Sequence, residues 1–420
     1  MPTGGGSMRS ALHRVAVWTG GAAVTLATVA VAGAGAPAAD AATCKADLPL
    51  LSRAPISTYT LNGGAAGSAT VRIWDTGRPS TASRGVRIAV VRIPSGSLTP
   101  GIITSPTLSR AATPASMAAH DPSALVVINA DHFNPTVGGI PYVDEMARGV
   151  IRKMASATGN DPWQFGLAVY PGTKQIINAS ARLYGVVSST AGRVAITGLN
   201  WQTVRPSGIT VYNATWGGYP HPYGARTVIV TGGKVVAIRT GTSSRLRPAT
   251  GQSSLTAPAG TAAATYLAKL RVGNAVSVTY RLTGNYVNDG VFPHTPIGSP
   301  TGFVGTGGFL LYRGANRSTC TARNEIARPR SAIAWAANGD VLVASVSNPY
   351  DGGARMGGAT VRQWADALRR LGAVTAVNLD GGTSTTLLVR RTSGGALVRL
   401  DEPMSAYMRP VVNAFAFHAA

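Results

Sequence analysis

Apolar and polar residues alternate with period two along Ser68-Ala69-Thr70-Val71-Arg72-Ile73-Trp74 and again along Val86-Arg87-Ile88-Ala89-Val90-Val91-Arg92-Ile93, which predicts two half-buried strands. Leu125-Val126-Val127-Ile128 is apolar throughout and predicts a strand covered on both faces. Val374 to Leu379 reads as a strand lying beside others in a sheet. Residues 165–290 read as a run of strands and hairpins punctuated by Gly-Gly and Pro, with a turn at Gly232-Gly233 and one helix over Thr261 to Leu270. Ser95 to Pro122 is expected to be loop with one short helix. The clearest helix comes late: from Thr360, the residues Val361, Trp364, Leu368 and Leu371 fall at helical spacing, and Gly372 is placed as its stop. Its polar face carries Arg362, Asp366, Arg369 and Arg370. No internal repeat or heptad accompanies these elements. The pattern predicts an α+β fold: strand-rich mixed sheets with a few helices.

Two of the apolar strands end in the same kind of polar cargo. Ala376-Val377-Asn378-Leu379-Asp380-Gly381-Gly382-Thr383-Ser384-Thr385-Thr386-Leu387-Leu388-Val389 passes from strand to strand through a corner of amide, carboxylate and hydroxyls. A hairpin would be satisfied by Asp-Gly alone. Gly381 and Gly382 permit positive φ and close approach of another backbone or a ligand. Upstream, Leu125 to Ile128 runs into Asn129-Ala130-Asp131-His132-Phe133-Asn134-Pro135. A third segment, Ala327-Arg328-Pro329-Arg330-Ser331-Ala332-Ile333-Ala334-Trp335, sets arginines at the start of a strand. Taken singly, each has a plain account: a solvated Asp-Gly turn, an Asn capping its own backbone, a structural histidine, a surface arginine in a salt bridge.

Taken together, and in this order, the three segments resemble the phosphodiester glycosidase family. The resemblance extends over the connecting elements from about Arg84 to the C-terminus, including Gly232-Gly233-Lys234-Val235-Val236-Ala237-Ile238 and Gly305-Thr306-Gly307-Gly308-Phe309-Leu310-Leu311. The chain departs from the family pattern at four places. His132 stands where an aromatic is usual, Ala130 and Ala334 where Gly is usual, and Ser331 where Thr is usual. An imidazole next to the expected site bears on substrate choice more than on reaction class.

The resemblance implies a hydrolase that cleaves a sugar from a phosphodiester. Glycoside cleavage passes through an oxocarbenium-like state that two carboxyl groups normally flank, and Asp131 and Asp380 are the pair expected here. A phosphate leaving group has little need of a proton, so a cation that receives the departing oxygen becomes important, and Arg330 is expected to grip it. Asn129, Asn378, Gly381, Gly382, Ser384 and Thr385 are expected to position substrate, with His132 as a phosphate contact or proton shuttle. Tyr350, Asp351 and Arg355 in the glycine-rich stretch Asn348 to Gly358, together with His221 and His294, are weaker candidates. There is no G-x-S-x-G elbow and no H-E-x-x-H pair. No cofactor is expected, no metal ligand is assigned, and a divalent cation on loop carboxylates is left open.

The 420-residue chain has ample apolar content, 45%, for a core, and only 13% charged residues. Arg9 and Arg14 precede an apolar, small-residue stretch from Val15 to Ala36, and Ala39-Asp40-Ala41 offers a small-x-small cleavage site, so residues 1–41 read as an export signal, with a membrane anchor as the alternative. Residues 42–83 are then an N-terminal tail with the first strands, and 84–420 the catalytic domain. Cys44 and Cys320 are the only cysteines and, in an exported protein, a candidate disulfide, the alternative being two unpaired thiols. Formal net charge is +22, and about +21 without residues 1–41. Arginines are scattered without a basic block, which argues against a nucleic-acid partner. The expected partner is a sugar phosphodiester or phosphate-containing glycopolymer, met outside the cell or at its wall, with no lasting membrane insertion. A non-catalytic protein that binds anionic glycopolymer, and a glycosidase acting on glycans without phosphate, are the competing readings.

Overall fold

The computed structural model describes residues 48–64, 67–77, 85–156, 165–240, 246–286, 299–321, 323–348, 357–402 and 407–419. Apart from one two-stranded pair, 133–134 with 140–141, the strands build three sheets. An eight-stranded sheet has the order 57–62, 68–75, 87–93, 341–347, 330–336, 373–378, 309–312, 315–316. A five-stranded sheet has the order 398–399, 387–389, 124–129, 413–418, 99–104. The third sheet, of eleven strands, takes in most of 145–305. Strands pair antiparallel except 192–199 and 209–213, which run parallel. The fold is therefore α+β with mixed sheets, as the sequence pattern implies.

Alternation along the strands assigns the layers. Ile333, Trp335, Val343 and Val377 of the eight-stranded sheet share one core with Ile128, Phe415 and Leu387 of the five-stranded sheet. The opposite residues Ala332, Ala334, Leu342 and Ala376 pack under Trp364, Ala365 and Leu368 of a helix, Val361–Arg370. Val127, Leu388 and Ala414, on the outer face of the five-stranded sheet, pack on Met117 and Ala118 of the helix Pro114–Ala119. Two sheets thus lie face to face with a helix outside each. In chain order the helices are α1 (Pro114–Ala119), α2 (Ala262–Lys269) and α3 (Val361–Arg370).

The helix ends follow the sequence signals. At the start of α3 the Thr360 side chain accepts from the Gln363 N–H, while the Gln363 side chain accepts from the Thr360 N–H at 3.0 Å, closing a capping box. Gly372 follows the helix at φ +95°. Full burial of Trp364 contributes about 2–3 kcal/mol. Thr261 caps α2, its side chain accepting from the Ala264 N–H.

One expectation is corrected. Ser95 to Pro122 holds not only α1 but a strand, Thr99–Thr104, at the edge of the five-stranded sheet beside 413–418. Pro100 and Gly101 make it read as loop, yet Pro is tolerated on an edge strand, and Ile102 and Ile103 each have a core to enter. The Cys44 end of the expected disulfide lies outside the described residues. Among the described residues no helix is long and apolar enough to cross a membrane.

Candidate active site

The Asp380 corner is a crossing between sheets, which explains why it is not a simple hairpin. The strand Ala373–Asn378 lies between 330–336 and 309–312. Beyond its end, the Leu379 N–H donates to Ser331 O at 3.0 Å, and the Asp380 N–H crosses over to Ala130 O of the other polar corner at 2.9 Å. A short turn, Gly382–Ser384, then feeds the strand Leu387–Val389 of the five-stranded sheet. Gly381 is demanded by the neighbour: a Cβ there would stand 2.8 Å from Pro329 O. Gly382 adopts φ +61° and donates its N–H to the same oxygen at 2.8 Å.

Asn129 clamps the two corners. Its Nδ2 donates to Asp380 O at 2.7 Å, and its Oδ1 accepts from Ser331 Oγ at 2.7 Å and Thr386 N–H at 3.0 Å. It is fully buried, and its bonds tie the Asp380 backbone to the strand starts at Ser331 and Thr386. Asn413, from the last strand, plays the matching part for Asp131: its Oδ1 accepts the Asp131 N–H at 2.9 Å, and its Nδ2 donates to Glu145 Oε2 at 2.7 Å. The other Glu145 oxygen takes Arg152 Nε at 2.6 Å. Lys153, entirely buried, donates to Val143 O at 2.8 Å and lies 3.3 Å from the centroid of the Trp201 ring.

The two aspartates end in different surroundings. Asp131 is buried, and neither carboxyl oxygen has a hydrogen bond of good geometry among the described residues. Burial drives its pKa well above the usual carboxylate range, with Glu145 and Asp380 adding to the rise while Lys153 and the Val143 backbone oppose it. Asp380 retains 17% exposure of its side chain beside a 38% exposed His132, whose Nε2 stands 3.7 Å from Asp380 Oδ1. Burial raises this carboxyl too, but His132, a bond from Ser384, the Arg409 charge and the Gly381 N–H all pull it down. The Arg409 Nη1 donates to Thr383 Oγ1 and Ser384 Oγ, each at 3.1 Å, with its guanidinium over the Phe133 ring at 4.9 Å.

The structure thus brings Asp380, His132 and Arg409 together around the buried Ser384, with Asp131 behind them. Two expectations are placed differently. The side chain of Asp131 is covered rather than set at the open edge beside Asp380. Arg330 lies next to Gly381 along its backbone, but its side chain is directed to the α3 layer, away from the face that Ser331 presents to Asn129. There Arg330 Nε donates to Ala359 O at 2.7 Å and Nη2 to Ile326 O at 3.0 Å. Burial, with Arg328 adding and Glu325 opposing, brings Arg330 down to about 10, so it stays cationic at neutral pH. Asn378 borders the site through its contacts with Gly307, where a Cβ would meet both Asn378 Nδ2 at 2.9 Å and His132 Cε1 at 3.0 Å. The Thr385 hydroxyl is buried without a partner among the described residues.

Arg409, Asn413, Glu145 and Lys153 are the members that sequence reading missed. Each is one polar residue in an ordinary segment, and only the strand order brings it to the corners. His221 is buried elsewhere, stacked on Tyr212. Tyr350, Asp351, Arg355 and His294 lie outside the described residues. Among the described residues, no group of three or more His, Cys, Asp or Glu side chains is placed to hold a metal ion.

Against known proteins, residues 223–418 match the family model described as phosphodiester glycosidase. No curated protein matches the chain. A solved hypothetical protein from Synechocystis aligns over 86% of this chain at 23% identity and TM-score 0.59, and the chain covers 64% of that protein's length. A candidate exported protein from Burkholderia pseudomallei aligns over 81% of this chain and 75% of its own length, at 18% identity and TM-score 0.59. The zebrafish N-acetylglucosamine-1-phosphodiester alpha-N-acetylglucosaminidase catalytic domain, auto-inhibited by its pro-peptide, aligns over 86% of this chain and 87% of its own at 11% identity and TM-score 0.42. At these identities the two first structures show a shared fold. The matched span contains Arg330, Asp380 and Arg409, while Asn129, Asp131 and His132 precede it, and over residues 223–418 the chain resembles the phosphodiester glycosidase family.

Proposed function

We propose that the protein is an exported hydrolase that cleaves the bond between a sugar anomeric carbon and a phosphodiester oxygen, releasing free sugar and a phosphomonoester. One observation carries this reading: an accessible carboxylate, Asp380, and a cation, Arg409, are held to the same hydroxyl, Ser384. A sugar phosphodiester needs that pair, a carboxylate for the anomeric carbon and a guanidinium for the phosphate. In its ionised form Asp380 acts as base toward water or as nucleophile toward C1. In the base route water forms the new C1–O bond, its proton passes to Asp380, and the pair of the broken C1–O bond leaves on the phosphate oxygen.

Arg409 receives the charge on that oxygen. A guanidinium has five N–H donors, and its bonds to Thr383 and Ser384 use Nη1. Because the phosphate leaves as an anion, no acid is required to protonate it, and the covered Asp131 is not needed in contact with substrate. Its raised pKa lessens the like-charge repulsion that two ionised carboxylates would bring to the pair. Asn129 fixes the Asp380 backbone, and His132 stands at the open edge as the second group able to meet the phosphate.

The test is product analysis with UDP-N-acetylglucosamine, with Asp380→Asn as control. Release of free sugar by the native protein alone supports the reading. No release, with a phosphate-containing wall polymer still retained on immobilised protein, favours a binding protein. Cleavage of a nitrophenyl glycoside that no phosphodiester outcompetes points to a glycosidase acting without phosphate.

A further inference from the structure

A cavity whose lining includes none of Asp131, His132 and Asp380 lies beside α1. It measures about 800 Å³ and is bounded by α1, the edge strand Thr99–Thr104 and the Arg148–Arg152 segment. Arg110, Ala111 and Pro410 line it and also line a second hollow of about 350 Å³, so the two adjoin. The second hollow is walled by Phe133, Arg409, Tyr219 and Tyr407. Arg409 is the residue bonded to Ser384. The two hollows, which share three lining residues and meet the Asp380 corner at Arg409, form one candidate cleft.

The lining of this cleft is one-sided in charge. Arg110, His120, Arg148 and Arg152 face the large section and Arg409 the small one, and no Asp or Glu is among the described residues that line either. Arg152 is fixed by Glu145 Oε1 at 2.6 Å and Ser105 O at 2.8 Å, and Arg148 lies 3.6 Å from Asp121. Arg110 and Arg409 form no ion pair with a carboxylate among the described residues. Where the cleft leaves the site, two tyrosines present their rings, Tyr219 at 52% and Tyr407 at 60% exposure. The Tyr219 ring has a built seat: it lies over Gly138, where a Cβ would come within 2.6 Å of Cε2, and its backbone bonds Ser109 Oγ and Trp216 Nε1.

We propose that this cleft is a binding site for the chain of an anionic, phosphate-bearing glycan that continues from the bond being cut, with the tyrosines against sugar faces and the arginines on successive phosphates. The inference rests on the sugar-phosphodiester reading and names its substrate class as polymer, not a small sugar phosphodiester. Tyrosine supplies a rigid apolar face with a polar tip, suited to the CH faces and hydroxyls of a sugar. Guanidinium suits phosphate oxygens.

The experiment separates this site from the chemistry. Binding of poly(N-acetylglucosamine 1-phosphate) is measured on Asp380→Asn protein, in which turnover plays no part, beside dextran and a single-stranded DNA of equal charge. The expected result is binding of the phosphoglycan at least about tenfold tighter than of either control. Arg110→Gln with Arg148→Gln, and separately Tyr219→Ala, should each weaken it about tenfold. On otherwise native protein the same variants should leave hydrolysis of UDP-N-acetylglucosamine unchanged. Equal affinity for the DNA, or unaltered phosphoglycan affinity in all these variants, overturns the proposal. An inactive native enzyme that still shows the variant-sensitive binding overturns the hydrolase reading and leaves the cleft standing.

Discussion

The Asp131 and Asp380 corners start from the same sequence device, an apolar strand that runs through an asparagine into an aspartate, and end as different chemical environments. At Asp131 the strands 413–418 and 145–147 close over the carboxyl, with Asn413 and Glu145 taking the neighbouring bonds. At Asp380 a crossing between sheets leaves one side open, and His132, Ser384 and Arg409 gather there. A carboxylate at a strand end keeps solvent contact only where the next layer stops short of it. Where the layer continues, the same residue is buried and binds its proton more tightly than a free carboxyl does.

The sharpest way to break this comparison is to neutralise each corner in turn. Asp380→Asn should lower kcat/KM by about a thousandfold or more with little change in Tm, because it removes the ionised oxygen that meets the substrate. If Asp131→Asn costs as much, the assignment of contact to Asp380 and tuning to Asp131 fails. The two arginines come next. Arg409→Gln should lower kcat/KM about a hundredfold and move the acid limb of its pH profile upward, since a charge that holds Asp380 down is lost. Arg330→Gln should instead cost about 1–3 kcal/mol of stability through two orphaned carbonyls, seen in denaturant melts, with the folded enzyme nearly as active.

Smaller effects lie in the pH dependence. Asp131 binds its proton more tightly folded than unfolded, so its contribution to stability falls as pH rises from about 4, the unfolded value, through the raised folded one. Asp131→Asn should flatten that decline in Tm between acid and neutral pH, and an unchanged slope would show that the buried carboxyl is not its source. His132→Gln should show chiefly in the pH profile. Burial is the largest influence on Asp380 and raises it; His132 is the first of those opposing. Without it the acid limb of kcat/KM should move up by less than about one pH unit, and a downward move would contradict the placement.

Much of the architecture was legible because it is written in local periodicity. The α2 and α3 helices announce themselves by apolar spacing and their Thr261 and Thr360 caps, and the strand 124–129 by its unbroken apolar run. Thr99–Thr104 was not legible, because edge strands tolerate the Pro and Gly that signal loops. In the site, Asn129, Asp131, His132 and Asp380 stood out through their density at strand ends. Arg409 and Asn413 did not, being single residues whose importance comes from the place of the last strand between 124–129 and 99–104.

By itself the sequence determined many of the strands, the helices and the two polar corners, since backbone preference and side-chain alternation act over a few residues. Which corner is covered, which arginine stands beside the carboxylate and which faces α3 were decided only by tertiary structure. Burial and electrostatic proximity depend on what the other layers place within a few ångströms, and residues as distant in the chain as Asn129 and Asp380 become neighbours only when two sheets close on each other.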